Sequence, residues 1–327
     1  MAEKKKNSSN NTVSIKGYLK ENTLEQITDS NGNQSIRGSL LIATDALNAH
    51  KVQFYVSENG FDGTHSTDYD RLLDLLPAKT TSMASFLKDS SAADFEMAAN
   101  AATKVWAMGR LDEYATRNGE RTTSMVTLKG FRAGLATVDK GPFVPRAEFS
   151  ATIYINAMEP EKDEAGGLTG RISIQGLLPK SKGLLDMVDF VAVADNGVAE
   201  IVKANWHVGD TVKIEGDLVS LAIRKKVEDT DEGSSFGRTR APQYETTFIR
   251  ERRIVGGGRS PIKGEGELTP DKVKEGLALR EAKMIKNGER AQQGSSRGFS
   301  AAPVTPVTPS TPSFPTGTGY PGEDVDF

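Results

Sequence analysis

Cysteine is absent from this sequence of 327 residues, and histidine is scarce, with three residues at positions 50, 65 and 207. The lack of cysteine excludes a disulfide framework and a thiolate metal site, and it fits a reducing cytoplasm. Because His50, His65 and His207 are widely scattered, the sequence argues against a zinc site and against a histidine-based catalytic centre. We therefore expect no metal and no cofactor.

Long apolar runs and phosphate-binding loops are also missing. No stretch approaches the roughly 20 apolar residues that a membrane-spanning helix requires. No Gly-x-x-x-x-Gly-Lys loop is present either. Residues 1–12 are basic and polar with no apolar segment behind them, which predicts a disordered arm and not a secretory signal. These absences predict a chain that is not an enzyme and does not enter a membrane.

Neither sign of charge is in large excess, since the formal net charge is −3. Glu323, Asp324 and Asp326 supply three negative charges close to the C-terminus, so residues 1–322 are formally neutral. A neutral body still has room for a local basic stripe, and a modest phosphate-binding groove needs only a few Lys or Arg residues. The charge balance therefore does not exclude a nucleic-acid partner.

A β pattern is prominent, and it is clearest in residues 104–130. Side chains of two kinds alternate from position 105 to 111, which is the two-residue period of a strand. Asn118-Gly119 supplies a turn, and the Thr-rich segment 122–128 returns as the second strand of a hairpin. Gly109, in the middle of the first strand, predicts a bulge or a sharp bend.

The same pattern recurs later in the chain. The segment VKIEGDL at 212–218 matches VWAMGRL at 105–111, and MVDFVAVADNG at 187–197 matches KVQFYVSENG at 51–60. Two matched segments in the same order predict an internal duplication of an all-β unit.

Both copies carry a family resemblance. VKIEGDL, with Gly209-Asp210 before it, resembles the Gly-Asp-x-Val-x-Ile-x-Gly strand of OB-fold proteins. GRLDEYATRNGERTT at 109–123 resembles the matching hairpin of bacterial single-stranded-DNA-binding proteins. The resemblance implies a mainly β chain with two five-stranded Greek-key OB barrels in tandem, a helical connector in the first barrel and a disordered C-terminal tail. OB barrels commonly bind oligonucleotides across one face.

These patterns divide the chain into six parts. Within the first barrel, the Leu-, Ala- and Met-rich residues 61–103 predict an enlarged helical connector. The predicted parts are a disordered basic arm at 1–12, the first OB domain at 13–135, a linker at 136–147, the second OB domain at 148–256, an amphipathic helix at 265–290, and a disordered Pro/Gly/Ser/Thr linker with an acidic tip at 291–327.

The acidic tip resembles the C-terminal tip of bacterial single-stranded-DNA-binding proteins, which docks replication and repair partners. That family usually has Pro before the final Phe, and Asp326 stands there in this chain. A terminal ring suits a small pocket, and the neighbouring carboxylates suit a basic rim around it. The resemblance implies five partner-binding residues: Glu323, Asp324, Val325, Asp326 and Phe327.

Binding of a single strand without sequence readout requires cations along the backbone path and aromatic faces for the bases. In the first barrel the predicted contacts are Lys16, Tyr18, Lys20, Arg37, Tyr55, Trp106, Arg110, Tyr114, Arg117, Arg121, Lys129, Phe131 and Arg132. In the second barrel they are Lys213, Arg224, Phe248, Arg250 and Arg252.

The sequence therefore predicts a protein that coats and protects single-stranded DNA in replication, recombination and repair, and recruits replication or recombination proteins through its tip. The polar, duplicated organisation favours a bacteriophage version, located in the cytoplasm of a bacterium or of an infected host. A homo-oligomer is compatible with the sequence. Two alternatives stay open: a non-enzymatic OB-fold assembly or scaffold protein, and an RNA-binding OB protein.

Overall fold

The structure is a computed structural model that describes residues 11–30, 32–60, 62–85, 92–136, 142–163, 165–226 and 244–295. These residues contain eleven β-strands, which pair into one large sheet, and four α-helices. The predicted mainly β class is confirmed. No helix in the described segments is both long and apolar enough to cross a bilayer.

The first six strands build one closed unit, which we call the first ring. Strand β1 pairs with β3 and β5, β3 pairs with β4, and β4 pairs in parallel with β6, which returns to β5. The short strand β2 extends the edge of β3. The strands are β1 (Asn11–Asn22), β2 (Glu25–Thr28), β3 (Gln34–Ala43), β4 (Ala49–Ser57), β5 (Lys104–Asn118) and β6 (Arg121–Leu135).

The next five strands repeat this pairing order in a second ring. Strand β7 pairs with β8 and β10, β8 with β9, β9 in parallel with β11, and β11 with β10. The matched sequence segments fall on corresponding strands, β5 with β10 and β4 with β9. The strands are β7 (Arg146–Lys162), β8 (Leu168–Pro179), β9 (Leu185–Ala192), β10 (Thr211–Lys226) and β11 (Tyr244–Gly257).

Helices occupy the connections and the C-terminal side. Two helices, α1 (Thr67–Leu73) and α2 (Ala92–Ala101), lie in the connector of the first ring, and α3 (Val198–Asn205) lies at the corresponding place in the second. Helix α1 begins at Thr67, because the Ser66 hydroxyl accepts a hydrogen bond from the Tyr69 amide and caps the first turn. Helix α4 (Pro270–Ser295) starts and ends about five residues later than predicted.

The alternation of each strand separates a core from an outer face. On β1, Val13, Ile15 and Leu19 are buried, whereas Lys16 and Tyr18 between them are partly exposed. The buried residues of both rings form one continuous apolar cluster. Strand β1 begins at Asn11, inside the segment predicted to be disordered, because the Asn11 side-chain amide exchanges two hydrogen bonds with the backbone of Leu111.

The predicted bulge at Gly109 is confirmed, and the second ring repeats it. The β5–β6 register shifts between Met108 and Gly109, and the β10–β11 register shifts between Glu215 and Gly216. A Cβ atom on Gly109 would lie 2.4 Å from the carbonyl oxygen of Lys129. Both glycines are therefore required by a close approach of the neighbouring strand.

The two rings are joined by strand pairing and by their hairpins. Strand β1 pairs with β7, so the large sheet continues from one ring into the other. The β5–β6 hairpin docks on the second ring, where the Asp186 carboxylate accepts a hydrogen bond from the Glu113 amide at 3.0 Å. In turn, the Ser220 amide of β10 donates to the Asn48 side chain of the first ring at 3.1 Å.

Candidate functional site

Four adjacent strands of the first ring build a continuous outer surface. On β4, Lys51, Gln53 and Tyr55 are exposed, and the residues between them are buried. Tyr55 lies opposite Arg37 on β3, Gln53 lies beside Lys129 on β6, and Lys129 lies opposite Arg110 on β5. We call this surface the Tyr55 face, and we define it by Arg37, Lys51, Tyr55, Arg110, Lys129 and Phe131.

Two aromatic rings of the Tyr55 face are open to solvent. The side chain of Tyr55 is 68% exposed and that of Phe131 is 43% exposed. Phe131 is the extra residue of the bulge, because Met108 pairs with Arg132 and Gly109 pairs with Gly130. Beneath it, the Phe54 ring fills the space at Gly130, where a Cβ atom would lie 2.2 Å from a ring carbon. Tyr55 and Phe131 thus project from neighbouring strands over a packed support.

The cations of the Tyr55 face are largely available. Arg37 contacts Glu25 at 2.6 Å, but both side chains are more than half exposed. Lys129 contacts Asp112 at 3.1 Å and keeps about half of its side chain exposed. Lys51 and Arg110 are exposed, and neither forms an ion pair with any residue that the structure describes. The Arg37–Glu25 pair is solvated and costs little to exchange for a phosphate.

The hairpin beyond this face carries further predicted contacts. Tyr114 lies opposite Met125, and both are about half exposed. Arg121 is exposed at the tip. Arg117 forms an ion pair with Glu281 of α4 and is therefore tied to the helix. The hairpin extends the Tyr55 face with one aromatic ring and one open cation.

The predicted contacts on β1 and its neighbours are more enclosed. Tyr18 packs against Phe143, with ring centroids 5.2 Å apart, and the Lys16 ammonium lies 4.8 Å from the centre of the Phe143 ring. The Lys20 carbonyl accepts a hydrogen bond from the Ser82 hydroxyl. The Trp106 ring lies against Gly134, where a Cβ atom would be 3.1 Å away. Arg132 is held by Asp68 at 2.8 Å.

In the second ring, most predicted contacts are engaged within the protein. Lys213 contacts Glu215 at 2.7 Å. The Arg252 guanidinium donates to the Asp189 carbonyl at 2.6 Å, and burial lowers its pKa, although the Asp189 charge opposes this. Phe248 is 64% exposed, with the Arg250 guanidinium 5.9 Å from its centre. The side chain of Arg224 lies outside what the structure describes.

Corresponding positions of the two rings differ in charge. The matched segments align Arg110 with Asp217, 107 residues later, and they align Lys51 with Met187 and Tyr55 with Val191. A groove of about 370 Å³ along β1, β7 and β10 is lined partly by three acids. The acids are Glu148, Glu215 and Asp217. The counterpart of the Tyr55 face therefore lacks the positive charges of Lys51 and Arg110 and the ring of Tyr55.

A buried charge cluster supports the base of the hairpin. Lys180 binds Asp112 at 2.6 Å and Asp186 at 2.7 Å, and Arg280 of α4 binds Glu113 at 2.8 Å. Burial raises the pKa of Asp186. Burial also opposes the ionisation of Asp112 and of Glu113. However, hydrogen bonds from Lys180 to Asp112 and from Arg280 to Glu113 outweigh burial and hold the pKa of each carboxyl below its ordinary value. This cluster holds the hairpin against the second ring and α4.

The structure places five of the predicted contacts on exposed surface, namely Arg37, Tyr55, Arg110, Lys129 and Phe131. The sequence analysis omitted two neighbours. Lys51 shares the outer face of β4 with Tyr55, and the alternation in residues 51–57 is the signal that places it there. Lys104 lies opposite Tyr18 on the neighbouring strand. The predicted tip residues Glu323, Asp324, Val325, Asp326 and Phe327 lie outside the described residues.

Comparisons with known proteins give one family and a set of similar solved structures, among them two of one bacterial protein. A family model described as YorF matches residues 9–290. No curated protein matches the chain. The wild-type single-stranded DNA binding protein from Thermus aquaticus is similar with a TM-score of 0.43 and 13% sequence identity, over 80% of this chain and 97% of that one. A deletion mutant of the same Thermus protein has the same TM-score and coverage at 12% identity.

Proposed function

We propose that this chain, which belongs to the YorF family, binds single-stranded DNA on the Tyr55 face of its first ring. The observation that carries the proposal is the pairing of two open aromatic rings with four surrounding cations on adjacent strands. Bases stack on aromatic faces without sequence readout, and phosphates are neutralised by Lys and Arg beside them. The Tyr55 face offers both groups within one patch.

We further propose that each ring is an OB barrel. Without the short edge strand β2, each ring has five strands. The first of these pairs with the second and the fourth, and the third pairs in parallel with the fifth. Helices α1, α2 and α3 lie between the third and fourth strands of their rings. This order is the Greek-key connectivity of the OB fold. In an OB barrel, oligonucleotides lie across the face formed by the second and third strands, which here carry Arg37, Lys51 and Tyr55.

The preference for single strands has a physical basis in the two aromatic rings. Tyr55 and Phe131 accept bases by stacking, and a base is available for stacking only when it has left a duplex. The role that follows is non-enzymatic: coating and protection of exposed strands in replication, recombination or repair. Recruitment of replication proteins by the acidic tip belongs to the same proposal and rests on the resemblance of residues 322–327.

The proposal is tested by fluorescence anisotropy of a labelled oligothymidylate of about 30 nucleotides with the full-length chain, over a series of salt concentrations. We expect binding that weakens steeply with salt. Tyr55→Ala and Phe131→Ala should each weaken binding about tenfold through loss of stacking. Phe248→Ala removes an equally exposed aromatic side chain from the second ring and should leave affinity unchanged.

Competition with unlabelled duplex DNA and with RNA of equal length completes the test. Single-stranded DNA should compete at least as well as RNA, and duplex should compete poorly. Tight binding to duplex would contradict the proposal. Absence of salt-sensitive binding at low salt would favour the assembly or scaffold alternative, and preferential competition by RNA would favour the RNA-binding alternative.

A further inference from the structure

We propose that Tyr18 is a second base-stacking platform of the first ring, and that Phe143 occupies this platform when no single-stranded DNA is bound. This inference rests on the proposed function, because it extends the path of the same single strand. It concerns the residues on β1 that are covered in the structure, namely Lys16 and Tyr18, together with Lys104 on β5.

Phe143 packs against the Tyr18 ring and lies close to two ammonium groups. Its ring lies 5.2 Å from the Tyr18 ring at an angle of 55°. The ammonium groups of Lys16 and Lys104 lie 4.8 and 5.3 Å from its centre. Tyr18 also packs against Phe95 of α2 in a T-shaped arrangement, with ring centroids 6.1 Å apart. One flat ring is thus held by a tyrosine platform and two cations.

A nucleotide satisfies these surroundings better than a phenyl ring does. A phenyl face attracts the two ammonium groups only weakly, whereas a phosphate neutralises them directly. A base can stack parallel to the Tyr18 ring, whereas the Phe143 ring lies at 55° to it. Single-stranded DNA therefore gains an interaction with the two lysines that Phe143 does not supply. This difference in affinity is what the displacement of Phe143 by DNA requires.

The local backbone allows Phe143 to leave its place. Residues 142–145 belong to no strand or helix, and Pro142 and Val144 on either side of Phe143 are exposed. Phe143 itself is only partly buried. Its departure therefore breaks ring contacts without breaking the β1–β7 or β5–β6 pairing.

The platform lies on a continuous path from the Tyr55 face. Strands β4, β6, β5 and β1 are successive neighbours, and Lys104 is six residues from Arg110 along β5, which corresponds to about 20 Å. An oligonucleotide of about three nucleotides on the Tyr55 face is too short to reach Tyr18. A longer one reaches both platforms, so only the longer strand competes with Phe143.

The test compares oligothymidylates of about 3 and about 30 nucleotides, which are below and beyond the usual site size of one OB fold. Phe143→Ala should tighten binding of the long probe about fivefold and leave the short probe unchanged. Adding Tyr18→Ala to Phe143→Ala should abolish the gain. Val144→Ala, which alters the neighbouring exposed side chain, is the matched control and should behave as the wild type. Photo-crosslinking with 5-iododeoxyuridine should label Tyr18 more strongly in Phe143→Ala.

Three results separate the possible failures. If the wild type binds neither probe, the proposed function fails. If the wild type binds but Phe143→Ala does not tighten the long probe, or the gain survives Tyr18→Ala, only the Tyr18 platform is overturned. Phe143→Leu keeps the apolar volume, so it should fold with a wild-type melting temperature and still tighten the long probe.

Discussion

Val13 on β1 lies directly opposite Phe149 on β7, and each of the two lies opposite the bulge glycine of its own ring. Val13 pairs with Gly109, and Phe149 pairs with Gly216. Because Gly109 and Gly216 are corresponding positions of the duplicated segment, Val13 and Phe149 are corresponding residues. The β1–β7 pairing is therefore a local two-fold relationship between the two copies.

This two-fold relationship makes the chain resemble a dimer joined within one polypeptide. Both residues are almost fully buried, so the junction belongs to the common core. Symmetry of the backbone is not matched by symmetry of the surface, because Arg110 of the first copy corresponds to Asp217 of the second. The duplicated fold thus presents two related faces, of which one carries the cations and open rings suited to DNA.

The bulge glycines should be essential for stability. In Gly216→Ala, the added Cβ atom would lie 2.0 Å from the Arg253 carbonyl oxygen, so the two strands must separate. We expect a loss of about 1–3 kcal/mol in the free energy of unfolding, measured by chemical denaturation. Gly256→Ala is the control, because nothing lies within 4 Å of its Cβ position. Equal stability of the two variants would contradict the role assigned to the bulge.

The buried cluster should make Lys180 far more important than an exposed lysine. Lys180→Ala leaves Asp112 and Asp186 close together without their shared cation, and we expect a loss of about 3 kcal/mol in unfolding free energy. Lys79→Ala breaks a solvent-exposed pair with Asp74 and should cost about 0.5 kcal/mol or less. Thermal and chemical denaturation at neutral pH measure both. Similar losses would show that the cluster does not hold the hairpin.

His50 should make stability depend on pH. Burial lowers the pKa of His50 from 6.5 to about 4, although the Asp45 charge opposes this. Between these values the unfolded chain binds a proton that the folded chain does not, so stability falls as the pH drops. The loss from this residue reaches about 3 kcal/mol at pH 4.

His50→Leu is the variant that isolates this effect. Its unfolding free energy should fall less than that of the wild type when denaturation is repeated from pH 6.5 to pH 4. His207→Leu changes an exposed histidine and should keep the wild-type profile. If the unfolding free energy of His50→Leu falls with pH as steeply as that of the wild type, the pH dependence comes from carboxylates instead.

Removal of Arg110 should alter the salt dependence of DNA binding. Each phosphate contact on a single strand contributes about 0.7 to the slope of the logarithm of affinity against the logarithm of salt concentration. Arg110→Ala should reduce the slope by about this amount, as measured by anisotropy. Lys213→Ala removes the same charge from the second ring, and its slope should equal that of the wild type. If only Lys213→Ala had a reduced salt slope, the DNA phosphates would lie along the second ring and not along the first.

Much of the fold could be predicted from local patterns. The alternation in residues 105–111, the Asn118-Gly119 turn and the duplicated segments predict the hairpin and the repeated unit, and Gly109 predicts the bulge. These features depend on residues that are close in sequence, or on a pattern that the chain repeats.

The enclosed residues could not be predicted in the same way. Asp112 and Glu113 look like solvated residues of a polar hairpin, because their partners Lys180 and Arg280 come from distant parts of the chain. Similarly, Tyr18 looks like an open platform, since no local signal shows that Phe143 of the connecting segment covers it. Exposure at these positions is decided by tertiary packing.

Hydrogen exchange measured by mass spectrometry, with and without an oligothymidylate of about 30 nucleotides, tests the central claim most directly. We expect the added strand to slow exchange in β4 and β6, which carry Tyr55, Lys129 and Phe131, and to leave β9 of the second ring unchanged. Protection confined to the second ring, or no protection in either ring under conditions of saturating DNA, would contradict the assignment of the Tyr55 face as the DNA-binding surface.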